Sequence, residues 1–104
     1  MKKKIEPTER HETIRREIIQ LMMERAVTPY DISGELGISE REATYQLEHA
    51  LVSARRKFKI EATPASCKSC GFEFKDRKKV KRPSKCPSCK NGRIESARYG
   101  IKGN

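Results

Sequence analysis

The chain has 104 residues, of which 37% are charged and 35% hydrophobic, with three tyrosines, three phenylalanines and no tryptophan. A chain this small and polar buries a low fraction of its surface, which excludes a single large core and a deep, aromatic-lined enzyme pocket. No apolar run approaches the roughly 18 residues of a membrane span, and three lysines rather than an apolar segment follow Met1, so we expect a cytoplasmic protein.

The charge is distributed unevenly along the chain. Lysine and arginine number 24 against 14 acidic residues, which gives a net charge of +10. Residues 1–54 carry a net charge of −2 and residues 55–104 a net charge of +12. Such a step predicts two modules, and the basic surplus favours nucleic acid as a partner.

Two helices are predicted before residue 37. The first covers about residues 8–25, because Ile14, Ile18 and Met22 recur at helical spacing, and Ile19 and Met23 broaden the apolar stripe. The second has cap signals at both ends, with Thr28 before Pro29 at its start and Gly37 at its end. Its predicted apolar face consists of Tyr30, Ile32 and Leu36.

A third helix follows after a three-residue turn. Ser39 is the predicted N-cap and Glu42 completes a capping box. The predicted buried positions are Ala43, Leu47, Ala50, Leu51 and Ala54. Residues 29–54 therefore predict a helix-turn-helix, although a plain three-helix scaffold or dimerisation unit has the same pattern.

The outward face of the third helix contains the candidate base contacts Arg41, Thr44 and Tyr45. Glu40 and Glu48 share this face and would repel phosphates, so phosphate affinity has to come from elsewhere. An acidic outward face also fits a helix that docks on protein.

A strand is predicted over residues 57–62, where Phe58, Ile60 and Ala62 alternate with polar residues. A winged helix needs a hairpin here, so the partner strand must come from the cysteine-containing half or be absent. We therefore predict an α+β fold: a three-helix, winged-type helix-turn-helix module over residues 1–62 and a small antiparallel β zinc ribbon over residues 63–104.

Four cysteines have the spacing of a metal site. Cys67 and Cys70 form one Cys-x2-Cys pair, and Cys86 and Cys89 form another after a 15-residue gap. Tetrahedral sulfur suits zinc or iron, and the short loop favours one zinc ion. Four thiolates leave no open coordination position, so the metal is predicted to be structural, and its removal to unfold the chain from about residue 64 onward.

The ribbon is predicted to contain a short strand at Phe72 and Phe74, and one or two strands after the Asn91-Gly92 turn. Cations are concentrated at its tip and directly after the third helix. We predict that they contact phosphates. They are Arg55, Arg56, Lys57, Lys59, Lys75, Arg77, Lys78, Lys79, Lys81, Arg82 and Lys85.

With these motifs the chain resembles a family of archaeal predicted transcriptional regulators, in which a helix-turn-helix domain is fused to a C-terminal zinc ribbon. The resemblance covers about residues 7–101 and is most specific around the two cysteine pairs, at residues 64–72 and 82–90. It implies that Cys67, Cys70, Cys86 and Cys89 bind zinc and that residues 28–54 form the DNA-reading unit.

The sequence thus predicts a DNA-binding transcription regulator with a structural zinc ribbon and double-stranded DNA as its partner. The alternative is a protein-docking or RNA-binding adaptor of the transcription or translation machinery, with a protein partner on the acidic third helix. No nucleophile–base pair or open metal site points to an enzyme or to a small-molecule substrate.

Overall fold

The computed structural model describes residues 7–75 and 79–102, with side chains from residue 10 onward. Three helices come first: α1 at Pro7–Glu24, α2 at Pro29–Leu36 and α3 at Glu40–Ala54. α3 packs against both α1 and α2. Within the described ranges, no helix is long and apolar enough to cross a bilayer.

The predicted caps at both ends of α2 and at the start of α3 are confirmed. At the start of α2, the Thr28 hydroxyl accepts a hydrogen bond from the amide of Asp31 at 3.1 Å, and the Asp31 carboxylate accepts one from the amide of Thr28 at 3.0 Å. Gly37 ends α2 with a φ of 65°, which glycine adopts without strain. Ser39 caps α3, but the Glu42 carboxylate accepts a hydrogen bond from Gln46 instead of completing the predicted capping box.

The helical core matches the predicted apolar positions of α1 and α3, with two corrections. Met23, which was predicted to broaden the apolar stripe of α1, is 50% exposed, and Tyr30, which was predicted on the apolar face of α2, is 71% exposed. Tyr30 lies two residues before Ile32, which turns it about 200° around the helix and away from the core. The buried residues of the three helices are Ile14, Ile18, Met22, Pro29, Ile32, Ala43, Gln46, Leu47, Ala50, Leu51 and Ala54.

Four short strands form two antiparallel pairs. They are β1 at Ile60–Thr63, β2 at Ser66–Cys67, β3 at Ile94–Glu95 and β4 at Arg98–Ile101. β1 pairs with β4, so that Ile60 lies opposite Ile101, and β2 pairs with β3. The partner of β1 therefore comes from beyond the cysteines.

Two strand predictions need correction. The strand after α3 begins only at Ile60, because residues 55–57 form a turn, and Ala62 is exposed rather than buried. Phe72 and Phe74 flank a single bridge between Glu73 and Ser66 instead of lying in a strand. Their rings pack edge to face, with centroids 5.0 Å apart.

β4 is held against the helices as well as against β1. Val27, in the loop between α1 and α2, exchanges two backbone hydrogen bonds of 2.9 Å with Tyr99 of β4. Tyr99 is 7% exposed and lies in the helical core. Val80 lies in the same core, and it belongs to the Lys- and Arg-rich stretch of the sequence over residues 75–85, here called the basic segment. The cysteine-containing segment thus lies between two paired strands, the second of which is anchored on the helices.

Candidate metal centre and nucleic-acid interface

The four predicted cysteine ligands converge on one point. Their sulfur atoms all lie within 4.8 Å of one another. The Cys67 and Cys89 sulfurs are 3.6 Å apart, as are those of Cys70 and Cys86. A tetrahedral zinc with bonds of about 2.3 Å sets its sulfurs about 3.8 Å apart, so the thiols fit one four-coordinate metal ion.

Both cysteine pairs lie in the same kind of turn. After the first pair, the amide of Gly71 donates to the carbonyl of Cys67 at 2.8 Å, and after the second, the amide of Lys90 donates to the carbonyl of Cys86 at 2.9 Å. Each of these donors has a positive φ, 81° at Gly71 and 64° at Lys90. Gly71 adopts this conformation without strain, and the second turn uses a lysine in a conformation that favours glycine.

The thiols differ in how readily they lose a proton. Burial raises the pKa of Cys67, but hydrogen bonds from the backbone of Cys70 and Ser69 outweigh it and bring the pKa from 9.0 down to about 7. For Cys89, a backbone hydrogen bond from Asn91 lowers the pKa, whereas burial and the neighbouring thiols raise it, to about 11. Four adjacent thiolates therefore need a cation, and metal binding displaces protons.

The outward face of α3 forms one wall of a groove. Arg41, Thr44 and Tyr45 line this wall, and the groove has a volume of about 1000 Å³. Three cations of the basic segment, Lys79, Lys81 and Arg82, line the same groove. The guanidinium of Arg82 reaches the carbonyl of Ile94 at 3.4 Å, which ties the basic segment to the zinc ribbon. Candidate base contacts and candidate phosphate contacts thus share one groove.

A second cavity, of about 820 Å³, lies on the other side of the basic segment. Arg55 from the end of α3 lines it together with Lys75, Lys79 and Lys81. The structure therefore brings together cations from the two predicted modules, residues 1–62 and residues 63–104, as a joint basic surface requires.

The remaining predicted cations are distributed differently. Arg56, Lys57, Lys59 and Lys85 are exposed and line neither cavity. Arg77 and Lys78 lie outside the described residues.

Sequence reasoning missed Tyr30 as a site residue, because it assigned this side chain to the apolar face of α2. Tyr30 lines the groove beside α3. The signal that could have revealed it was its spacing from Ile32 and Leu36, which are four residues apart and define a face that Tyr30 does not share.

The three-helix module and the four-thiol site together define a helical protein with a C-terminal zinc ribbon. Residues 13–60 match the family model described as "PF0610-like, N-terminal". Residues 64–103 match the model described as "PF0610 rubredoxin-like zinc beta-ribbon domain". The two parts of the chain thus match a PF0610-like N-terminal domain and a PF0610-type zinc ribbon in turn, and the four cysteines are placed to bind one structural zinc ion.

A solved structure supports the same architecture. The chain is similar to the solution NMR structure of protein PF0610 from Pyrococcus furiosus, with a TM-score of 0.73 and 25% sequence identity. The match covers 100% of this chain and 98% of the other. No curated protein matches the sequence.

Proposed function

We propose that the protein is a DNA-binding transcription regulator of the winged helix-turn-helix type, with β1 and β4 as its wing and a structural zinc ribbon between them. The observation that carries this proposal is the groove, which the outward face of α3 lines together with Lys79, Lys81 and Arg82. A duplex backbone in this groove has cations on one side and base-contacting side chains on the other.

The proposed division of roles follows from charge. Arg41 is the only cation among the outward α3 residues that line the groove, and it accounts for guanine contacts, with Thr44 and Tyr45 at neighbouring positions. The basic segment supplies affinity that does not depend on sequence, because it contacts phosphates. No catalytic role is proposed.

Selection from random duplexes tests this function, followed by Arg41→Ala on the enriched motif. Loss of one bidentate base contact weakens binding to the motif by about 1–3 kcal/mol and leaves random DNA almost unaffected. Arg16→Ala is the matched control, because Arg16 is exposed on α1 and does not line the groove. Failure to enrich a motif, with non-specific duplex binding intact, contradicts the proposal.

A second candidate function is protein docking through α3. Glu40 and Glu48 line the groove, and no ion pair involves them among the described residues. Under this alternative Glu48→Lys abolishes capture of a partner from the native cell extract, whereas under the first proposal it strengthens non-specific DNA binding by removing a repulsion.

A further inference from the structure

We infer that the groove between α3 and the basic segment binds an unpaired nucleic-acid strand, whose bases stack on Tyr30 and Tyr45 and whose phosphates lie along Lys79 and Arg82. This goes beyond the proposed function, which concerns paired bases read at their edges. It rests on the aromatic residues and charges of the groove.

The tyrosines are the first observation. Of the three in the chain, Tyr99 is buried in the core, and the other two both line the groove. Tyr30 is 71% and Tyr45 is 47% exposed. Every base has an aromatic face that a tyrosine ring can cover, so such platforms bind single strands with little regard to sequence.

The ring of Tyr45 is braced from behind. His49 packs edge-on against it with ring centroids 4.6 Å apart, and His11 of α1 lies at 6.4 Å. Neither histidine lines the groove. A ring held in place before the ligand arrives loses little conformational entropy on stacking.

Charge sets the orientation of the strand. On the α3 wall, Glu40 and Glu48 outweigh Arg41 and leave a net charge of −1. The wall formed by the basic segment carries +3, from Lys79, Lys81 and Arg82. Phosphates are repelled from the first wall and attracted to the second, so the bases point toward α3. There the carboxylates can accept hydrogen bonds from exocyclic amino groups, as glutamate does from cytosine N4.

A duplex does not satisfy this arrangement. In a paired and stacked helix each base presents only its edges to a protein, because its faces are covered by the neighbouring bases. Tyrosine stacking therefore selects strands whose bases are splayed out.

The test compares one mixed sequence of about 16 nucleotides as single-stranded DNA, as single-stranded RNA and as duplex DNA, with binding measured by fluorescence anisotropy. Tyr30→Ala and Tyr45→Ala each weaken binding of a single strand about 5- to 150-fold, which corresponds to the removal of one base stack. Duplex binding stays unchanged in Tyr30→Ala, because Tyr30 is not among the proposed duplex contacts. The two single-stranded ligands show whether the strand is DNA or RNA, and tyrosine-dependent binding of either supports the inference.

Matched controls separate stacking from folding. Tyr30→Phe and Tyr45→Phe keep the aromatic face and retain single-strand affinity. Val52→Ala removes another exposed apolar side chain of α3, one that does not line the groove, and leaves all three affinities unchanged. Because the chain has no tryptophan, quenching of tyrosine emission by the single strand provides a second readout on the unaltered protein.

Two results overturn the inference: single-strand affinity that survives both alanine substitutions, or equal losses on single strand and duplex in Tyr30→Ala. An enriched duplex motif together with tyrosine-independent strand binding leaves the proposed function standing and this inference refuted. Tyrosine-dependent strand binding without any enriched duplex motif supports this inference and refutes the proposed function.

Discussion

Gly100 shows how a single position fixes β4 on the helical module. A Cβ atom at this residue would lie 3.2 Å from the Cα of Ala26, in the loop between α1 and α2. The neighbouring Tyr99 is bonded to Val27 of the same loop. The close approach of these two backbones therefore favours glycine at position 100, because a Cβ atom there would push the backbones apart by a few tenths of an ångström.

Gly100→Ala is expected to lower the free energy of unfolding by about 1–3 kcal/mol, because the added methyl group forces β4 away from the loop. Urea titration followed by circular dichroism measures the change. Gly34→Ala is the matched control: nothing lies within 4 Å of its Cβ position, and it is an exposed position in α2. Alanine there raises stability by about 0.5–1 kcal/mol. Equal effects at the two positions would refute the packing argument.

At the scale of elements, the two strand pairs depend on different forces. β1 and β4 are held by each other and by the helical core, which contains Tyr99. β2 and β3 pair over only two residues each, and the core beside them consists of Ala65, Cys67, Cys86 and Ile94. Since two of these four residues are metal ligands, the inner part of the ribbon depends on the metal.

Removal of zinc is expected to disorder the two cysteine turns and the β2–β3 pair, about residues 66–75 and 83–95, while the helices, β1, β4 and the packing of Val80 in the helical core are retained. The sequence alone predicted unfolding from about residue 64 to the end. The pairing of β4 with β1 keeps the end of the chain folded. The loop between the two paired strands becomes longer and flexible, but the entropic cost of closing a loop rises only slowly with its length. Hydrogen exchange before and after chelation measures this. Elemental analysis should first give one zinc per chain, and loss of amide protection in β4 on chelation would contradict the expectation.

At the scale of the whole molecule, folding brings cations from the basic half of the sequence next to the helices. The basic half does not form a separate body, because Val80 and Tyr99 enter the helical core. This brings Lys79 and Lys81 alongside Arg55 in one cavity and opposite α3 in the groove. Affinity for a polyanion is therefore expected at the junction of the two modules.

Lys79→Gln with Lys81→Gln should weaken duplex binding to any sequence and reduce the slope of log affinity against log salt by about 0.9 for each phosphate that is no longer neutralised. The matched control changes two exposed arginines of α1, Arg10→Gln with Arg16→Gln, at the same cost in net charge. A slope that falls equally in both variants would show that net charge matters and the groove does not.

The metal site and the helix ends were predictable because their signals are local. Two Cys-x2-Cys pairs specify their ligands by spacing, and Thr28, Gly37 and Ser39 act on backbone groups a few residues away. These features depend on short-range geometry, which the order of residues specifies directly.

Tertiary structure alone decided the rest. The partner strand of β1 is about 40 residues away in the chain. A strand of only two or four residues has no sequence pattern that identifies the strand with which it pairs. The exposure of Tyr30 and the groove it shares with Tyr45 and Lys79 depend on how β4 docks, which is set by Gly100 and Tyr99. The sequence by itself thus determined the chemistry of the zinc site and the helix-turn-helix segment. Packing between distant segments determined which charges and rings face one another, because that depends on the sum of many weak contacts that no local signal encodes.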